Sequence, residues 1–218
     1  MPEDKRESID VLLQEKRVFP PSAELAQKAH IKGQAEYEKL YKESIEDPDG
    51  FWGRMGGILD WSRKWDKVSE WDFGKPQIKW YLIGKLNASY NCLDRHLQTQ
   101  PNKTAIIFEA DNGQVTRITY KDLYHRVCRF ANGLKKLGIT KGDRVLIYLP
   151  MSIEAVIAMQ ACARIGAIHS VVFGGFSAKS VQERIIDAGA VAVITADGQF
   201  RGGKEIPLKP VVDEALGM

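Results

Sequence analysis

Arg201, Gly202, Gly203 and Lys204 stand together in the stretch TADGQFRGGKEIPLK, residues 195–209. Two cations around two glycines can grip an anion. Arginine offers a planar fork to a phosphate or a flat face to a base, and lysine offers a compact point charge. Spacing alone leaves two readings open here, an anion grip and a solvated surface turn. A second glycine pair, Gly174 and Gly175, lies in FGGFSAKS, residues 173–180, after an apolar run. Glycines leave room for a ligand to approach, and Ser177 behind them can cap a helix whose N-terminus carries partial positive charge. A phosphate or a ring could therefore come to this turn. A tight strand-to-helix turn can equally need glycine for its own sake, and with no further context that second reading is preferred.

Other chemistries are missing. G-x-G-x-x-G does not occur, which argues against NAD, and neither does the P-loop pattern G-x-x-x-x-G-K-[ST]. One RGG triplet inside a folded pattern is weak support for RNA. His30, His96, His125 and His169 are dispersed, and none sits in a nucleophile motif such as G-x-S-x-G. His169 falls in an apolar strand and reads as a hydrogen-bonded core residue. Cys92, Cys128 and Cys162 have no metal-ligand spacing, and an odd count with no secretory signal argues for free thiols. The last two fall in apolar helical patterns, as small core residues do. No metal site and no pair of catalytic carboxylates is expected.

Composition narrows the class. With 218 residues, 44% hydrophobic and 27% charged, the chain has the make-up of one large or two small soluble domains. Its 31 basic and 28 acidic residues are too evenly balanced to argue for nucleic acid. The longest apolar runs, VLIYLPM and AVIAMQACA, fall far short of the roughly 20 residues of a membrane span. The opening MPEDKRESID is polar and unlike a signal peptide, so a cytoplasmic location with no membrane partner is expected.

Three regions should position these residues. Residues 1–20 are charged and unpatterned, and predict a disordered or loosely docked tail. Residues 21–86 form a helical and Trp-rich extension. Ser22 is an N-cap for SAELAQKAH, Tyr37, Leu40, Tyr41 and Ile45 follow a 3-4 spacing, and Pro48 suits the first position of a third helix. All five tryptophans lie between Trp52 and Trp80. Residues 60–86 show little helical or strand period, so they predict an extended, loop-rich arm anchored by aromatic rings. Residues 87–218 predict an α/β domain. NASYNCLDRHL is a short helix, TAIIFEA and QVTRITY are strands joined by DNG, and Thr119 caps a long helix that Gly138 stops. Then DRVLIYLP, AIHSVVFGG and AVAVITAD, apolar on both faces, alternate with helices of about a dozen residues. That pattern means a three-layer βαβ arrangement around a parallel sheet with right-handed crossovers. Ligands of such sheets bind beyond the carboxyl ends of the strands, which is where both glycine pairs fall. The third such loop, PMSIEA, is ordinary strand-to-helix chemistry.

A family likeness runs through the same residues. AIHSVVFGGFSAKSVQERIIDAGAVAVITAD followed by RGGKEIPLK resembles the AMP-forming acetyl-CoA synthetases of the adenylate-forming superfamily. NCLDRHL, ITYKDL, GDRVLIYLPM, FWG and IKWY belong to the same pattern, and the likeness spans roughly residues 20–216. The resemblance implies an enzyme that activates acetate with ATP and Mg²⁺ to acetyl-adenylate, then passes the acetyl group to the CoA thiol. It implies that Arg201 and Lys204 hold the nucleotide end of CoA, with Gly202 and Gly203 allowing close approach. It also implies that Phe173, Gly174 and Gly175 line the adenine pocket. The matching family loop is usually Arg-x-Gly-Arg or Arg-x-Gly-Lys; lysine at 204 keeps the positive charge and lacks arginine's bidentate fork. A propionate-activating branch fits as well, and so does a non-catalytic CoA- or nucleotide-binding module. The family's phosphate loop, T-S-G-T-T-G-x-P-K-G, is not among these residues, nor are its ATP-binding aspartate and arginine, acyl-pocket tryptophan and C-terminal lysine. The resemblance is therefore to the N-terminal portion. It implies no catalytic residue or metal ligand in this chain, a missing downstream partner segment, and an inactive chain on its own.

Overall fold

The structure, a computed structural model, describes residues 17–218. The tail expected over residues 1–20 lies outside the described residues as far as residue 16. The chain divides into two compact units, one ending at Met55 and one running Gly56–Met218.

In the first unit, α1 (Ala23–Lys28) starts where Ser22 Oγ accepts from Leu25 N at 3.2 Å, the cap that the sequence calls for. Helix α2 (Gln34–Glu46) follows, then α3 (Pro48–Gly56) with proline at its start. Neither α1 nor α2 buries a residue, and Tyr37, Tyr41 and Ile45 are exposed. The 3-4 spacing makes the helix but not a core.

The second unit begins with a finding against expectation. Residues 60–86 are not a periodless arm. They hold an antiparallel hairpin, β1 (Lys67–Asp72) with β2 (Gln77–Leu82), in register from Lys67 opposite Leu82 to Asp72 opposite Gln77. Alternation was invisible because Ser69 is its one buried residue, so neither face carries a clean apolar stripe. The rings pack on one another within this segment. Trp61, Trp65 and Tyr81 interlock with centroids 4.9–5.2 Å apart, and Trp61 Nε1 donates to Gly56 O at 2.8 Å.

The α/β body follows the sequence pattern closely. A short helix, α4 (Ala88–Cys92), leads to the hairpin β3 (Thr104–Glu109) and β4 (Val115–Thr119). Helix α5 (Tyr120–Lys136) is capped by Thr119 and stops just before Gly138, whose φ is +86°. Then come β5 (Arg144–Leu149), α6 (Ile153–Ile165), β6 (Ile168–Phe173), α7 (Ala178–Ala188) and β7 (Ala192–Thr195). The sheet is parallel, in the order β6-β5-β7. Stepping from β5 to β6 and back past β5 to β7 reverses direction. With one crossover hand, the two helices must then cover opposite faces.

Core packing agrees. Val145, Ile147 and Leu149 of β5 pack with α6 residues such as Ile157 and Ala158, whereas Leu146 and Tyr148 pack with Val181 of α7. A strand buried on both sides needs apolar residues throughout, and VLIYL supplies them.

Beyond β7 the chain does not loop. Residues 198–207 form a third antiparallel hairpin, β8 (Gly198–Arg201) and β9 (Lys204–Pro207), before α8 (Lys209–Gly217) returns to the sheet, where Leu208, Val212 and Ala215 are buried. Among the described residues no helix is long and apolar enough to cross a membrane.

Candidate ligand cleft

The carboxyl ends of β5 and β6, the β3–β4 turn and β8 together wall a cleft of about 900 Å³. Leu149 and Phe173, paired in register at the strand ends, form part of its wall, and Asp111, Gly174, Gln199 and Arg201 complete the side of interest.

The turn after β6 is held from beneath and from the side. Tyr148, buried in the centre of the sheet, donates its hydroxyl to Phe176 O at 2.8 Å, and burial pushes its pKa above the usual phenol range. Gln199 of β8 donates its side-chain amide to Gly174 O. A β-carbon on Gly174 would meet Leu149 O at 3.3 Å and Gln199 at 3.4 Å. One on Gly175 would stand 2.9 Å from the Phe173 ring. Neither glycine takes left-handed backbone, so what glycine supplies here is space. Ser177 Oγ accepts from Ser180 N at 3.4 Å and starts α7 as expected.

Gly202 and Gly203 are the two central residues of the β8–β9 hairpin, with φ of +59° and +73°. Consecutive positive φ values mark the type I′ turn, whose twist suits a two-residue hairpin. Nothing lies within 4 Å of a β-carbon built on either one. The turn brings Arg201 and Lys204 into register as direct neighbours. Arg201 swings over Phe173, its Cζ 5.2 Å from the ring centroid, while Lys204 is exposed and does not line the cleft. Phe173 in turn meets Phe176 edge-on at 6.1 Å, and Arg184 covers Phe176 at 4.8 Å.

Of the seven residues singled out in the sequence, Phe173, Gly174 and Arg201 line one cleft, with Gly175 packed against the Phe173 ring. The backbone amides of Gly202 and Gly203 are already engaged, by Asp111. Its Oδ1 accepts from Gly202 N at 3.1 Å and its Oδ2 from Gly203 N at 2.8 Å. Asp111 was read only as the first residue of the DNG turn and Gln199 carries no motif, so the part both play at the site was missed. The hairpin itself had a signal, since Gly-Gly between two short runs is a recognised turn pair.

Outside the cleft, His169 is half-buried and its pKa is lowered by burial, but among the described residues its ring makes no hydrogen bond, contrary to expectation. The cysteines are free thiols. Burial pushes Cys162 to about 11, whereas Cys92 is exposed. No group of three or more His, Cys, Asp or Glu among the described residues could hold a metal ion.

Two family models match the chain. One, described as AMP-binding enzyme, covers residues 93–216, and one, described as acetyl-coenzyme A synthetase N-terminus, covers residues 37–92. An acetyl-coenzyme A synthetase from Nitrosomonas europaea is 58% identical over 212 residues, 97% of this chain and 32% of the relative. One from Ralstonia nicotianae is 59% identical over 212 residues, 96% of this chain and 32% of the relative. One from Cupriavidus necator is 56% identical over 213 residues, again 97% and 32%. The chain thus spans about a third of the length of the curated relatives it matches.

Proposed function

The chain belongs to the AMP-binding enzyme family, in its acetyl-CoA synthetase branch, and from that premise we propose that it is the N-terminal part of an acetate–CoA ligase and carries part of the CoA site. The whole enzyme would convert acetate, ATP and CoA to acetyl-CoA, AMP and pyrophosphate through acetyl-adenylate. This segment's contribution would be to hold the nucleotide end of CoA.

One observation carries the reading: Arg201 lies over the Phe173 ring at the mouth of the cleft, beside the Gly174–Gly175 turn. A nucleotide that bears phosphates on an aromatic base needs a cation with a flat face and a surface it can approach closely. A guanidinium supplies a bidentate fork to phosphate and a plane to the base. Lys204, across the hairpin, adds a second positive charge on the solvent side. ATP, acetate and Mg²⁺ would be handled elsewhere in the whole enzyme.

Titration calorimetry with CoA tests this. The 218-residue chain should bind CoA, and Arg201→Ala should weaken that binding by about tenfold or more, the loss expected for one charge-assisted contact. Arg201→Lys should recover only part, because the fork is gone. Equal affinity in wild type and Arg201→Ala would sink the assignment.

A further inference from the structure

Adjacent backbone N–H groups in a turn of positive φ converge on a point and make a seat for an anion. Here the chain fills that seat with its own side chain. The Asp111 carboxylate takes Gly202 N on one oxygen and Gly203 N on the other, from a turn 91 and 92 residues earlier in sequence. Asp111 and Arg201 also wall the same cleft.

We propose that Asp111 is a positioning residue: it latches the β8–β9 turn to the β3–β4 turn and thereby holds Arg201 over Phe173. The hairpin is otherwise tied to the strand ends by Gln199 on Gly174 O and by the Arg201–Phe173 contact. Gln199 lies on β8, two residues before Arg201, so it fixes the base of the hairpin and leaves the tip to Asp111. The β3–β4 turn is itself well braced. Ala110 N and Gln114 O close it at 2.9 Å, Gly113 N donates to Ala110 O at 2.8 Å, and Gln114 N donates to Asn112 Oδ1 at 3.0 Å.

The consequence for a ligand is specific. An incoming phosphate does not take the Gly202 and Gly203 amides. To do so it would have to break two charge-assisted bonds and lie beside the displaced carboxylate, like charge against like. Phosphate is left to the side chains of Arg201 and Lys204, and the glycines serve to make the turn and to receive Asp111. The ligand part of this proposal rests on the CoA reading above; the latch itself rests on the hydrogen bonds.

The test uses the ¹⁵N-labelled 218-residue chain as wild type, Asp111→Asn and Asp111→Ala. In wild type the Gly202 and Gly203 amide protons should be shifted downfield and protected from exchange. Asp111→Ala should remove both effects, and Asp111→Asn, which keeps one carbonyl oxygen, should retain them at one amide, with β5–β7 resonances in place. Unchanged Gly202 and Gly203 amides in Asp111→Ala would overturn the latch. Calorimetry with adenosine 3′,5′-bisphosphate should show affinity falling about tenfold in Asp111→Ala and less in Asp111→Asn. Equal or tighter binding by Asp111→Ala, with wild type binding, would overturn the positioning role and make the carboxylate a plug or an ornament. Should wild type itself not bind the bisphosphate, the CoA reading falls, and the amide shifts still decide the latch. If Asp111→Ala does not fold, Asp111→Asn carries both measurements.

Discussion

At Gly174–Gly175 a side chain would crowd the Leu149 carbonyl, Gln199 or the Phe173 ring, whereas at Gly202–Gly203 it would have open space and a backbone that excludes it. In sequence the two pairs look alike, yet only Gly174 among the four lines the cleft. The first pair is glycine because the Leu149 carbonyl, Gln199 and the Phe173 ring crowd the turn. The second is glycine because a type I′ hairpin needs two positive φ values. Only the first lets the chain pack close to a ligand wall. The second builds the arm that carries Arg201 and Lys204 and offers its amides to Asp111.

Substitutions separate the two causes. The largest effect should come from Gly174→Val, which drives a branched side chain against the Leu149 carbonyl. Urea unfolding should report a loss of about 2–3 kcal/mol, in the range of an overpacked core site. A loss within error of zero would mean that the turn relaxes freely. Next comes Gly202→Val, which has space but the wrong backbone and should cost about 1–2 kcal/mol. Gly202→Asn should cost much less, because asparagine tolerates left-handed backbone and keeps the amide for Asp111. If valine and asparagine behave alike, conformation is not why the residue is glycine.

Gly175→Ala should be milder still, below about 1 kcal/mol, because the Phe173 ring is half exposed and can swing aside. Its mark should be a changed Phe173 ring environment in proton NMR, as the ring turns out from under the Arg201 guanidinium. An undisturbed ring would show that the 2.9 Å approach is relieved elsewhere. The smallest effect belongs to the Arg201–Phe173 pair. A double-mutant cycle with Arg201→Gln and Phe173→Leu should return a coupling of about 0.5 kcal/mol in stability, as for an exposed cation over a ring. Zero coupling would leave the pair as neighbours without attraction.

Much of the fold was legible in the residues. Apolar runs such as VLIYL announced strands covered on both faces, and Thr119 and Ser177 announced helix starts that the structure places one residue later. The β1–β2 hairpin was not legible. Strand periodicity is a burial signal, and a hairpin with Trp71, Ile78 and Trp80 exposed has little burial to report. The α2 stripe failed in the opposite way, because Tyr37, Tyr41 and Ile45 show the helical spacing yet remain exposed.

By itself the sequence determined the α/β class, the order of strands and helices from α4 to β7, and the presence of two glycine pairs with cations on the ligand side of a parallel sheet. Those features depend on residues within about one turn or one strand of each other. Tertiary structure alone decided that Gly174 needs room, that Arg201 rather than Lys204 lines the cleft, and that Asp111 and Gln199 hold the hairpin in place. The hydrogen bonds that hold the hairpin join residues 25 to 92 positions apart. A hydrogen bond across such a separation is made by the fold that brings its partners together, and no local pattern carries it.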